Sequence, residues 1–222
     1  MTTVYLQPKS PIADLDKLEF MYTPQIEYSH DVKYEAYNLV HTNYQPYAFS
    51  RSENPSLSLN CKFSAHTKDH FMHCEKAIRF LRTYSKMNYG RNDLQRGQPP
   101  RILRLFAYGE KMFNDVPVVI SKFSMTFPED CDYVTFDTSG IQVGLMQNSL
   151  SKKAGSGQNT AEYAENDPRR LDKNAIAGGT MSLPMIFNVS ISLLIQQNSS
   201  RVVNEFSLDD FAKGKLSAKG YI

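Results

Sequence analysis

Tryptophan is absent, and cysteine is scarce: three in 222 residues. An odd set, Cys61, Cys74 and Cys131, cannot close into a disulfide framework, and suits free, buried thiols in a reducing compartment. Long hydrophobic runs are missing too, so nothing approaches the roughly 20 apolar residues of a spanning helix. The opening MTTVYLQPKSPIADLDKLEF has no basic stretch followed by an apolar one, which argues against a secretory signal. Without secretion, the sequons at Asn188 and Asn198 carry no meaning. Charge of one sign is also lacking. Twenty-five Lys and Arg stand against 23 Asp and Glu, and a net +2 does not hold nucleic acid by bulk electrostatics. There is no internal repeat.

What the chain does have is Tyr and Phe, 13 of each, which suits a sheet-rich protein. Ser56–Ala65 alternates without a fault: Leu57, Leu59, Cys61, Phe63 and Ala65 face one way, Ser58, Asn60, Lys62 and Ser64 the other. A period of two marks a half-buried strand. Phe187–Ile195 alternates as cleanly, with Asn188, Ser190 and Ser192 outward. Between them the period changes. Over Lys68–Met87, Cys74, Ala77, Ile78, Leu81 and Tyr84 recur at helical spacing. Thr67 is placed to cap this helix, Asp69 favours its first turn, and Gly90 can close it. Strands are also predicted at Val32–Tyr37, Arg101–Tyr108, Val116–Phe127 and Cys131–Phe136, with a tight turn at Tyr108-Gly109. His41–Pro55 reads as a long connection with β character.

The resulting class is mainly β (α+β) with one flanking helix over about 68–87. Residues 1–28, with Pro8, Pro11 and Pro24, read as an extended N-terminal arm carrying a helical turn at Asp14–Glu19. Residues 29–211 form the single β domain, and 212–222 a basic, small-residue-rich tail. Residues 140–182, rich in Gly, Ser, Asn and charge, are longer than most connections in compact domains. They read as a loop that is either disordered or used for assembly.

The sharpest chemical candidate is His66, His70, His73 and Cys74. On a helix, His70, His73 and Cys74 are i, i+3, i+4 and could converge on a metal, with Cys61 as a further thiolate. A metal-binding or hydrolytic domain is the alternative this cluster raises. The plainer reading puts Cys74 on the apolar stripe, as an ordinary small core residue, with no metal, cofactor or catalytic set. Gly155-Ser156-Gly157 lacks the Lys-Ser/Thr of a phosphate loop. Glu129, Asp130 and Asp132 read as a solvated strand end. Arg91, Arg96, Arg101 and Arg104 read as a loop or subunit contact before a phosphate-backbone contact.

Three stretches carry a resemblance. They are YSHDVKYEAYNLVHTNYQPYAFSRSENPSLSLNCKFSAHTKDHFMHCEKAIRFLRTYSKMNYG, then PPRILRLFAYGEKMFNDVPVVISKFSMTFPEDCDYV, then LPMIFNVSISLLIQQ. A Ser-Leu-Ser-Leu strand leads to a helix with Ile78 and Leu81. Pro-Pro, an apolar strand ending at Gly109 and a strand closed by Pro-Glu-Asp follow. The pattern covers roughly 28–136 and 183–211, and resembles the tail-tube fold family of tailed bacteriophages. It is most like the baseplate proteins that start the tube of contractile tails. The resemblance implies a β-sandwich or barrel, assembled as a ring of six around an axial DNA channel. It also implies neighbouring tail-tube and baseplate hub proteins, no membrane, residence in the virion after assembly in the host cytoplasm, and no catalytic residues. The 1–28 and 140–182 segments exceed a minimal tube subunit and favour an adaptor with extra contacts.

Overall fold

The computed structural model describes residues 4–90, 95–137 and 180–222. It is mainly β and antiparallel, with one long flanking helix. In chain order the strands are β1 (Tyr5–Pro8), β2 (Leu18–Glu19), β3 (Gln25–Ser29), β4 (Val32–Ala36), β5 (Tyr47–Ser52) and β6 (Ser56–Ser64). Helix α1 (Lys68–Tyr84) follows, then β7 (Leu103–Ala107), β8 (Phe113–Thr126), β9 (Tyr133–Asp137), β10 (Thr180–Pro184) and β11 (Ile186–Ile195). The short helices α2 (Ser199–Glu205) and α3 (Leu208–Ala212) and a 3-10 turn, Ser217–Lys219, end the chain. Seven strands form one sheet in the order β2-β1-β7-β8-β11-β6-β3, and its end strands β2 and β3 do not pair with each other. β4–β5 and β9–β10 are separate two-stranded ribbons. No helix of the described residues is long and apolar enough to cross a membrane.

β6 and β11 alternate as their sequences predict, and their registers join the two apolar faces. Leu57, Leu59, Cys61 and Phe63 stand opposite Leu193, Ile191, Val189 and Phe187, all buried. On β8 the inward set changes parity, from Val116, Val118 and Ile120 to Phe123 and Met125. The cause is a bulge: Ser192 pairs with Lys122 but Leu193 pairs with Ile120, so Ser121 is extra. Its hydroxyl donates to the Ser192 carbonyl at 2.9 Å. The β7–β8 turn is made by Tyr108 (φ 56°) and Gly109 (φ 92°), both left-handed, where glycine is unstrained.

Helix α1 starts as predicted: Thr67 Oγ1 accepts from the His70 N–H at 3.3 Å. It ends earlier than Met87. Ser85 is the C-cap, its N–H donating to the Leu81 carbonyl, so Gly90 is not the cap. Its buried stripe is wider than the sequence alone suggests, adding Phe71 and Phe80.

A second layer explains Phe80. Residues 12–21 lie antiparallel along α1 as a strap. The Tyr84 hydroxyl donates to the Leu15 carbonyl (2.8 Å) and accepts from the Ile12 N–H (3.0 Å). Asp14 pairs with Arg79 and Asp16 with Lys76, each at 2.9 Å. The arm is thus folded into the domain, with Leu6, Leu15 and Leu18 buried and β1 paired to β7. The expected helical turn at Asp14–Glu19 is instead a tight turn at Ala13 (φ 51°) followed by β2. Side chains of α1 bond its backbone instead of helical bonds: Tyr84 takes the Ile12 N–H and the Leu15 carbonyl, and His73 the Glu19 carbonyl.

The tail folds back as well. Leu216 and Tyr221 are buried, and Gln197 Nε2 donates to the Gly220 carbonyl at 2.7 Å. Gly220 (φ 78°) sits so close to β8 that a Cβ would meet the Asp115 carbonyl oxygen at 2.3 Å. Most of the 140–182 loop lies outside the described residues; Thr180, Met181 and Ser182 belong to β10.

Leu81 is 1% exposed and lies on the face of α1 turned to the core. Leu81→Ala is expected to cost about 2–5 kcal/mol in chemical denaturation, as a truncation in a packed site. An unchanged midpoint would mean that the helix register is wrong.

Candidate functional site

The histidine–cysteine cluster does not assemble. His66 is exposed, before the helix. His73 Nε2 donates to the Glu19 carbonyl at 2.8 Å, so it serves the strap. Cys74 points inward, its sulfur 3.6 Å from the Ser64 carbonyl and 4.0 Å from the Met21 sulfur. Cys61 is buried in β6. His70 Nδ1 is buried with no hydrogen-bond partner among the described residues. Among those residues, no three His, Cys, Asp or Glu side chains gather as a metal-holding group. Burial pushes both the Cys61 and Cys74 thiols up to about 12, which disfavours the thiolate that a metal or a nucleophilic reaction needs.

The arginines are spent on local ties. Arg101 donates to the Ser10 carbonyl at 2.6 Å and to Gln95 at 3.0 Å. Arg104 donates to the Asp115 carbonyl at 3.1 Å, and Arg96 lies over the Tyr89 ring. Arg91 and Gly155-Ser156-Gly157 lie outside the described residues. Glu129, Asp130 and Asp132 are exposed just past the end of β8.

What the fold does build is a polar platform. On the sheet face turned away from the core, the registers of β8, β11, β6 and β3 set side chains in rows. One row is Ser124, Ser190, Asn60 and Gln25. The next is Lys122, Ser192, Ser58 and Glu27, and on the other side Thr126, Asn188 and Lys62. The hydroxyl of Ser190 donates to Asn60 Oδ1 at 2.6 Å, a cross-strand bond within a row. Two lysines and one glutamate are the only charges in these three rows, which are hydrophilic and close to neutral; Ile186 and Leu194 on β11 flank them as exposed apolar residues.

Both sides of this four-strand platform are open. β3 pairs with β6 and presents its other edge unpaired among the described residues. β7 covers β8 only as far as Val118, and among the described residues nothing pairs with the second half of β8 on that side. Such edges are ready to pair with another chain.

The β4–β5 hairpin is the third feature. It stands apart from the main sheet and exposes a run of aromatics: Tyr44 is 88% exposed, Tyr47 69%, Phe49 61% and Tyr34 60%. Contacts within it include the Tyr34–Phe49 edge-on pair at 6.0 Å and the Lys33–Glu53 ion pair. The tyrosine richness was legible in the sequence; that β5 turns it into an unpartnered ribbon was not, because His41–Pro55 has no strict alternation.

Comparison with known proteins adds no assignment: no family model matches the chain, and no curated protein matches it.

The cysteine environments give a direct check. Cys131 is half-buried at the platform's end, whereas Cys61 and Cys74 are enclosed. Native protein at pH 8 is expected to react with a thiol reagent at Cys131 first, and at the other two only on unfolding. Labelling of Cys74 at the rate of Cys131, read by peptide mass spectrometry, would show that the cluster is open and reactive.

Proposed function

We propose that this chain is a virion structural protein, a ring subunit at the junction of phage tail tube and baseplate that forms or initiates the axial channel. The observation that carries the reading is the polar platform with two open edges. When the free edge of β3 on one copy pairs with the second half of β8 on the next, the platforms continue from copy to copy, and a closed ring leaves neither of these two platform edges unpaired. The Ser, Asn and Thr rows then face the lumen. A wall that lets DNA pass must be wetted without binding tightly, and rows with so few charges meet that requirement. The ring order of six and the neighbours, tail-tube and baseplate hub proteins, come from the resemblance and not from these residues.

The exposed hairpin supports the same reading. Exposed aromatics on a projecting ribbon are costly to leave in water and suit burial against a neighbouring subunit. No observation among the described residues favours the metal-binding or hydrolytic alternative.

The test uses the full chain with Tyr34→Ser and Phe49→Ser combined. The two rings pair with each other across the hairpin, so the double change should cost that ribbon about 0.5–1.5 kcal/mol and leave the seven-stranded sheet intact. Native mass spectrometry should show the parent as a ring and the variant shifted towards monomer. Cryo-electron microscopy of tails should find the chain around the axis. A parent that stays monomeric at high concentration, or a position off the axis, would overturn the assignment.

A further inference from the structure

A cationic cleft lies where the folded-back tail meets the sheet. Leu103, Leu105, Val116 and Val118 point into the core, so alternation turns Arg104 and Pro117, paired in register, to the opposite face. Gln196, just past β11, adjoins them: its N–H donates to the Pro117 carbonyl at 3.0 Å. Lys9, just past β1, Ile102, just before β7, and Arg201 of α2 complete the lining of a pocket of about 440 Å³. That volume falls in the range of small-molecule sites. The tail is fixed beside it. Gln197 bonds the Gly220 carbonyl at 2.7 Å, and Gly220 packs against the same Asp115 that Arg104 bonds.

Three cations line the pocket, and no carboxylate does. Two of them already have partners, but each tie uses only one nitrogen. Arg104 spends Nη1 on the Asp115 carbonyl and carboxylate, at 3.1 and 3.4 Å, and Arg201 spends Nε on Glu205 at 3.1 Å. The other guanidinium N–H groups of both arginines, and the exposed Lys9 ammonium, have no hydrogen-bond partner among the described residues. A carboxylate has two oxygens, and a single arginine fork satisfies it. Cations from three separate elements suit a group with more oxygens and nearly two negative charges, which is a phosphate. Ile102, 42% exposed, and Pro117 add an apolar wall beside them.

We propose that this cleft binds a small phosphate ester, a nucleotide or sugar phosphate. The phosphate sits among Lys9, Arg104 and Arg201, and the organic part lies against Ile102 and Pro117. Every residue of the site belongs to one chain, so the site is the same in a monomer and in a ring. A bound ester bridges the tail to β7 and the end of β1, and so stabilises the fold by mass action.

Isothermal titration of the full chain at low salt tests this with adenosine monophosphate, inorganic phosphate and adenosine. The monophosphate should bind, inorganic phosphate should bind more weakly, and adenosine should not bind. The monophosphate should also raise the melting temperature. Lys9 makes no tie within the fold, so Lys9→Ala should melt as the parent does. It should weaken both phosphate probes by about five- to tenfold, the worth of one charged hydrogen bond, and Lys9→Arg should restore them. Ile102→Ser should weaken the monophosphate alone. No binding of the monophosphate at about 10 mM, or equal binding by the parent and a folded Lys9→Ala/Arg201→Gln variant, would overturn the proposal. A monophosphate no tighter than inorganic phosphate or sulfate would overturn it too, leaving an unselective anion site. A short single-stranded oligonucleotide that binds more tightly than the monophosphate would replace it with a strand-binding groove.

Discussion

The register between β6 and β11 is the constraint from which the rest follows. It joins segments far apart in sequence, with Leu57 opposite Leu193 and Phe63 opposite Phe187. A slip of one residue would turn every side chain to the other face, putting Ser58, Asn60 and Lys62 under α1 and the leucines into water. Because each strand of the pair has a second neighbour, it hands its parity on, β6 to β3 and β11 to β8. The apolar core and the polar platform are thus two sides of one decision. Where β8 breaks parity in sequence, the Ser121 bulge restores the face, so that Lys122, Ser124 and Thr126 still stand with the serines of β11.

That register was legible in the residues because its information is local. Strict alternation over Ser56–Ala65 and Phe187–Ile195 needs no knowledge of the partner strand. Thr67 and Asp69 announced the helix start for the same reason, since capping uses residues within one turn. The helix end was less legible: Ser85 and Gly90 are both able to finish a helix, and the choice falls where Tyr84 reaches the strap. The strap itself had no local signature. Its strand, β2, is two residues long, and its order comes from bonds to Arg79, Lys76 and His73 more than fifty residues away. The His70–Cys74 spacing was a true feature of the helix, but spacing on one element cannot say what that face meets. Here it meets the strap and the core.

The strap and the folded-back tail also decide which edges are free. β1 occupies one side of β7, and β2 blunts that end of the sheet with only two residues. Very short edge strands are a common way to discourage pairing. The opposite side has no such protection, since β3 runs five residues with its outer edge open. Tail packing through Gly220 and Leu216 secures the first half of β8, and leaves the second half, the platform half, to be paired from outside. Protection at one side and openness at the other favour directed pairing over indiscriminate aggregation.

The hairpin gives this asymmetry its energetic sense. A lone two-stranded ribbon is marginal in water, and among the described residues β4–β5 has no third strand and no buried face. Its Lys33–Glu53 pair is solvated, and pairs of that kind contribute little. In the proposed ring its order would be drawn from what it touches, and Tyr34, Tyr47 and Phe49 would leave water together. Ordering the ribbon on contact costs conformational entropy, and that cost is recovered only when the neighbour is already in place. In the proposed ring a subunit made this way would be held back from associating singly and stabilised by a neighbour already in place, which would couple the ordering of each ribbon to the growth of the ring.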